Sequence, residues 1–109
     1  NKQGHKYAKE NIKLNKIKNI VAIQGDVRKK IPNKKFDRII MPLPKDAENY
    51  LSLALKNLKP TGTIHLYTFE KQENFNKLKE KYKKYNIKLI KAGTPAPRKY
   101  RVCLDLSLK

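Results

Sequence analysis

The chain has 109 residues, 27 of them Lys or Arg against 9 Asp or Glu, for a formal net charge of +18. That length allows one domain at most. Compact clusters of β-branched and aromatic residues within a 39% hydrophobic content exclude a disordered tail, and no apolar run approaches the roughly 20 residues of a membrane span.

From Gly4 to Asn15 the apolar Tyr7, Ala8, Ile12 and Leu14 recur at helical spacing opposite Lys6, Lys9 and Lys13, which predicts an amphipathic helix. Ile20 to Ile23 is short, β-branched and stopped by Gln24-Gly25-Asp26, the pattern of a buried strand. A charged loop with Pro32 covers Arg28 to Lys35, and Phe36 to Met41 reads as a second strand ended by Pro42 and Pro44. Asp46 to Leu58 carries Ala47, Tyr50, Leu51, Ala54, Leu55 and Leu58 at three- and four-residue intervals, a helix closed by Pro60-Thr61-Gly62. Thr63 to Phe69 predicts a central strand, and Glu73 to Tyr85 a helix with Phe75, Leu78 and Tyr82 on one stripe. Ile87 to Ile90 predicts a strand and Gly93 to Lys99 an irregular loop with two prolines. The last strand, Val102 to Leu108, alternates Val102, Leu104, Leu106 and Leu108 on one face with Cys103, Asp105 and Ser107 on the other.

Strands separated by helices imply a parallel α/β sheet, and the last two strands, joined without a helix, are expected to be antiparallel. No repeat or linker divides residues 1–109. The first element is a helix with no strand ahead of it, whereas such a sheet normally opens on the strand whose following turn binds phosphate or nucleotide. The single cysteine allows no internal disulfide, and no signal segment opens the chain, so a cytoplasmic setting without a membrane partner is expected.

A surplus of eighteen positive charges attracts polyanions, nucleic acid first among them. The chain has 23 Lys, only 4 Arg, ten Asn and ten Ile, a skew that A/T-rich codons also produce, so charge alone leaves both readings open. Arg98 and Arg101 cluster with an aromatic ring in Pro-Arg-Lys-Tyr-Arg, and a guanidinium fork suits phosphate and base edges. No G-x-G-x-x-G or P-loop is present. His5, His65 and Cys103 are scattered without ligand spacing, so no metal is expected. Cys103 reads as a small core residue, His65 as a structural histidine rather than a general base, and Glu70 and Glu73 as residues that begin a helix.

Two strand ends carry chemistry. Gly25-Asp26-Val27 puts a carboxylate at the carboxyl edge of the sheet, where open α/β folds bind ligands; it can accept from an exocyclic amine or simply make a local turn. Met41-Pro42-Leu43-Pro44 follows the next strand, with two prolines that stiffen the backbone and leave the carbonyls of Met41 and Leu43 able to face a bound group. A rigid strand-to-helix turn accounts for it equally well.

Asn11-Ile12-Lys13-Leu14-Asn15-Lys16, Gly25-Asp26-Val27-Arg28, Phe36 to Pro44, Gly62-Thr63-Ile64-His65-Leu66-Tyr67 and Ala96-Pro97-Arg98-Lys99-Tyr100 form an ordered series along the chain. Together it resembles the carboxyl-terminal half of the catalytic domain of the archaeal tRNA guanine-37 N1-methyltransferase and wyosine-pathway family. The resemblance implies a Rossmann-like class I fold using S-adenosylmethionine, with tRNA as the partner and strand order 3-2-1-4-5-7-6. Here the sheet would be incomplete, holding strands 3 to 7, with residues 20–24 as strand 3 and 36–41 as strand 4.

By the same resemblance Asp26, Val27 and Met41 fall on cofactor-binding positions. Pro42, Leu43 and Pro44 line the methyl-transfer site, and Arg28, Lys45, Arg98 and Lys99 reach tRNA. Many members carry Asn where this chain has Pro42, whose carbonyl remains but whose side chain has no polar group; a wyosine-type base or transfer of the cofactor's aminocarboxypropyl group therefore stays open beside guanine N1 methylation, as does a noncatalytic RNA-binding fragment. The glycine-rich first motif, the acidic ribose-binding residue and the family's catalytic carboxylate and arginine would all lie ahead of Asn1. The 109 residues are thus expected to be part of a longer or split protein whose amino-terminal half completes the domain.

Overall fold

The computed structural model describes residues 1–42 and 47–109, and the chain divides into two compact units, Asn1–Pro32 and Asn33–Lys109. The first unit holds α1 (Lys2–Leu14) and the single turn α2 (Val27–Lys30). Asn1 caps α1: its side-chain oxygen accepts from the backbone N–H groups of Gln3 and Gly4 at 2.9 and 3.1 Å, satisfying two donors that have no partner inside the helix. The far end closes with Ile17 N–H donating to Ile12 O and Lys16 N–H to Lys13 O, at 3.0 and 3.1 Å. That doubly bonded stop needs a left-handed residue, and Lys16 takes it at φ 53° where glycine would be unstrained.

Residues 20–24, predicted as strand 3, form no strand. Ile20, Val21 and Ile23 are exposed, Val21 to 83%. The expected strand order explains the difference. Strand 3 draws its ladder bonds from strand 2, and none of the described residues supplies that neighbour.

The second unit is a sheet of four strands, β1 (Phe36–Met41), β2 (Leu58–Lys71), β3 (Tyr85–Ala96) and β4 (Lys99–Leu108), with α3 (Ala47–Lys56) and α4 (Phe75–Lys81) between them. The spatial order is β1-β2-β4-β3, with β1 parallel to β2 and β4 antiparallel to both neighbours. This is the order expected for strands 4-5-7-6. Period-two alternation sorts the side chains. Ile39 and Met41, Ile64 and Leu66, Leu104 and Leu106, and Ile87 and Leu89 pack with Leu51, Ala54, Leu55 and Leu58 of α3 and its exit, and with Leu78 and Tyr82, into one core. Ile64 and Leu104 are fully buried there.

Three stretches differ from expectation: the helix predicted over Glu73 to Tyr85 is a short 3-10 turn followed by α4, which ends at Lys81, and Tyr85 already opens β3. The ladder of β2 with β1 pairs Phe36 with Leu58 and then skips to Arg38 with Thr63, so Lys59–Gly62 bulge within β2 where the helix exit was predicted. Gly62 is required at that exit: a Cβ would stand 2.9 Å from the Asp37 carbonyl oxygen and 2.6 Å from Leu58 Cδ1. The predicted irregular loop at 93–99 is instead strand on both sides of a two-residue turn, Pro97-Arg98, with Ala96 paired to Lys99. Pro95 is tolerated because β3 is an edge strand and its missing N–H breaks no ladder on the outer side.

Candidate cofactor and nucleic-acid sites

Asp26 sits immediately before α2 and caps it. Its Oδ1 accepts from the backbone N–H of Arg28 at 2.9 Å, while Arg28 Nε and Nη2 clamp the carboxylate at 3.0 and 2.6 Å. The guanidinium, then the backbone bond, pull the carboxyl from its ordinary 3.8 to about 2, so it is ionised at every physiological pH. Arg28 Nε is shared between the two oxygens, at 3.0 Å to Oδ1 and 3.1 Å to Oδ2, so Arg28 alone makes four contacts with the carboxylate. Gly25 precedes it at φ +132°, a conformation that only glycine adopts without strain, and Val27 after it is exposed. Sequence left a ligand role and a local turn open for Asp26; the structure makes the turn and holds the carboxylate in a fixed orientation.

At the carboxyl end of β1 the Met41 side chain packs against the core, so the group it can offer a ligand is its backbone. Pro42 is exposed. Leu43, Pro44 and Lys45 lie outside the described residues.

The β3–β4 turn carries the other sequence-predicted pair, Arg98 and Lys99, both exposed. Arg98 has φ 60° directly after Pro97, the combination of a type II turn in which glycine is usual. Arginine there costs backbone strain of order 1 kcal/mol and projects a cation from the tip of the sheet. Arg98, Pro97, Tyr100, Lys71, Gln72 and Glu73 line a cleft of about 520 Å³. Glu70, beside it, is occupied locally, accepting from Asn74 Nδ2 and Lys71 N at 2.9 and 3.0 Å.

The sheet face turned away from the core holds a polar chain that the sequence did not reveal. His65 on β2 pairs across the ladder with Asp105 on β4, and Nδ1 stands 2.6 Å from Asp105 Oδ1. Arg38 on β1 reaches His65 Nε2 at 3.2 Å. A guanidinium can only donate, so Nε2 accepts and the ring carries its proton on Nδ1, donating to Asp105. Cys103 Sγ donates to the same Oδ1 at 3.3 Å. Burial, and then the Asp105 carboxylate, push the Cys103 thiol up to about 11.

His65 and Cys103 are therefore not scattered. Strand register brings them and Asp105 within 4.8 Å of one another. His65 is hydrogen-bonded on both ring nitrogens, as expected of a structural histidine, whereas Cys103, expected as a small core residue, is buried on the outward face against Asp105 rather than within the core cluster. The signal that could have found the group is alternation itself, since the outward residues of the central strand and of the last strand have to meet on one face.

Solved structures of class I methyltransferases superpose on this mixed sheet of a parallel pair followed by two antiparallel strands. The M. jannaschii tRNA m1G37 methyltransferase does so with a TM-score of 0.78 at 34% identity, over 98% of this chain and 35% of that one. Residues 1–91 match the TRM5/TYW2 methyltransferase domain, and the chain belongs to that family.

Among curated relatives, the tRNA (guanine(37)-N(1))-methyltransferase Trm5b of Pyrococcus abyssi is 37% identical over 110 residues, covering 92% of this chain and 33% of that protein. The tRNA 4-demethylwyosine(37)-methyltransferase Taw21 of Saccharolobus solfataricus is 41% identical over 69 residues, 62% of this chain and 26% of that protein. Two further structures are similar. The complex of aTrm5 with tRNALeu has a TM-score of 0.76 at 35% identity, over 96% of this chain and 32% of that one. M. jannaschii TYW2 in complex with AdoMet has a TM-score of 0.77 at 27% identity, over 97% and 53%. The chain spans about a third of the length of the curated relatives it matches. Among the described residues no helix is long and apolar enough to cross a membrane.

Proposed function

We propose that these residues are the carboxyl-terminal part of the catalytic domain of an S-adenosylmethionine-dependent tRNA methyltransferase, acting in the cytoplasm on the purine at position 37, at guanine N1 or on a wyosine precursor. The observation that carries this reading is the family match across residues 1–91 on a sheet with the 4-5-7-6 strand order. Relatives described with tRNALeu and with AdoMet support the partner and the cofactor.

Two features of the chain fit the adenine end of that cofactor: an ionised carboxylate held in place by Arg28, and an exposed apolar Val27 beside it. When bound, S-adenosylmethionine would supply an electrophilic methyl group for a base nitrogen or carbon. Asp26, its carboxylate fixed by Arg28, would position the adenine end of that cofactor. Met41 and Pro42 border the acceptor through their backbone carbonyls, and no side-chain base stands at Pro42; Leu43 and Pro44, the other residues assigned to this site, lie outside the described residues. The chain's contribution is therefore alignment of the two reactants, and the base proton leaves to another group or to water. Arg28, Lys45, Arg98 and Lys99 hold phosphates and set the register of the tRNA.

The outer edge of β1 has no neighbouring strand among the described residues. The rest of the domain, in the same or a separate chain, completes the sheet along that edge. A second reading rests on Pro42 and on the likeness to TYW2: transfer of the aminocarboxypropyl group, with methylthioadenosine leaving. Cofactor labelled separately in the methyl and in the carboxypropyl carbons distinguishes them in the complete protein. Methyl label in position 37 of tRNA is expected; carboxypropyl label there overturns methyl transfer, and salt-sensitive RNA binding with neither label leaves only a noncatalytic binding role.

A further inference from the structure

Beyond the turn of β3 and β4, the outward face of the sheet carries aromatic rings and cations in alternation. Tyr67 and Phe69 follow His65 on β2, and Arg101 of β4 is the ladder partner of Phe69. The Arg101 guanidinium lies 5.2 Å from the Tyr67 ring centroid, and Lys99 Nζ lies 5.9 Å from that of Phe69. Phe69 remains 42% exposed, with Lys99 and Arg101 exposed beside it. One exposed apolar side chain is ordinary on a protein surface. An exposed ring between two cations, on a chain with a net charge of +18, is a different arrangement. A ring offers a flat, sequence-tolerant surface to a base, and flanking cations meet the phosphates on either side.

The location fits an extended polyanion. β1 and β2 are parallel with Met41 opposite Leu66, so Phe69 stands three residues, about 10 Å, past the level at which β1 ends. That is the carboxyl side of the sheet, the side on which α/β folds hold their ligands. Lys71, the ladder partner of Lys99, extends the basic strip to the cleft that Arg98 lines.

We propose that this end of the sheet is a stacking platform for single-stranded RNA, in which Phe69 carries an unpaired base and Arg101 and Lys99 hold the flanking phosphates. The inference rests on the tRNA reading above and adds a base contact to the phosphate contacts assigned there. It assigns Phe69 and Arg101 to recognition of unpaired nucleotides next to the modified base, without reading their sequence.

The test uses the 109-residue chain with a fluorescein-labelled 12-nucleotide single-stranded RNA, and with inorganic polyphosphate as a base-free polyanion. Phe69→Leu keeps an apolar side chain but removes the ring; it is expected to weaken RNA binding by roughly 5- to 100-fold with the salt dependence unchanged and polyphosphate binding unaffected. Phe69→Trp is expected to restore RNA affinity, and Arg101→Gln to flatten the salt dependence by about one unit of slope. Equal thermal midpoints confirm that the exposed substitutions leave the fold intact. Wild-type affinity in Phe69→Leu, or an equal loss for polyphosphate, overturns the stacking platform while the tRNA reading survives. Failure of the wild-type chain to bind RNA at all likewise overturns the platform, while the tRNA reading stands or falls with the label transfer in the complete protein.

Discussion

Residues 1–32 and 33–109 come from one sequence with one lysine-rich composition, yet they use their apolar side chains in opposite ways. Leu51, Ala54, Leu58, Ile64, Leu66, Leu104, Leu106 and the other buried hydrophobic residues all belong to the second unit. In the first, α1 and α2 bury nothing, Leu14 is 78% exposed, and the strand-like run around Val21 lies open. A four-stranded sheet under two helices closes a core from its own residues. A helix, an extended run and one helical turn cannot, because an amphipathic stripe and a β-branched segment need surfaces to pack on. The two regions thus differ in how far their folding rests on atoms outside them, and the region with no core is the one that carries Asp26.

The sharpest way to break this contrast is to open the core of the second unit. Leu104→Ala removes a fully buried side chain at the centre of the sheet and is expected to cost about 2–5 kcal/mol in denaturant unfolding; a cost below about 1 kcal/mol would mean that the core is not where the stability resides.

A smaller effect is expected on the outward face. Asp105→Ala leaves the Nδ1–H of His65 and the thiol of Cys103 without their acceptor, at about 1–3 kcal/mol. The same substitution lowers the pH at which Cys103 alkylates from about 11, though not to the ordinary 9, because burial is the larger cause of the shift. The buried thiol contributes fully below pH 9 and loses its contribution as pH rises through 11.

In the first unit the effects are local. Asp26 titrates at about 2 against an ordinary 3.8, so the cap and clamp contribute fully above about pH 4, and the contribution is lost as pH falls through 2. Carboxyl NMR should place the midpoint at about 2 in the native chain, and Arg28→Gln should return it toward 3.8. The smallest expected change is a gain. Lys16→Gly relieves the left-handed residue at the end of α1 and should raise the helicity of residues 1–32 with about 0.5–1 kcal/mol of local stabilisation, leaving the unfolding of the sheet unmoved.

Much of this was legible because periodicity and packing agree. Phe36 to Met41 forms the strand it predicts, and the three- and four-residue spacing of Leu51, Ala54, Leu55 and Leu58 names the side chains that α3 and its exit bury. Pro95 and Pro97 misled, since proline argues against a central strand but is harmless on an edge, and which strand lies at the edge depends on the whole sheet. Ile20 to Ile23 has the composition of a strand without the structure of one, because a strand exists only against a neighbour. The chain from Arg38 through His65 to Asp105 joins three strands at separations of 27 and 40 residues, which only the register fixes. Asp26 was visible as a candidate, whereas its clamp by Arg28 follows from a helical turn too short to show any period.

These 109 residues are proposed to hold one side of a cofactor site that the rest of the domain completes. Isothermal titration with S-adenosylmethionine tests it directly. Saturable one-to-one binding is predicted for the complete domain, with none for residues 1–109 alone, and tight stoichiometric binding by the 109-residue chain would contradict it.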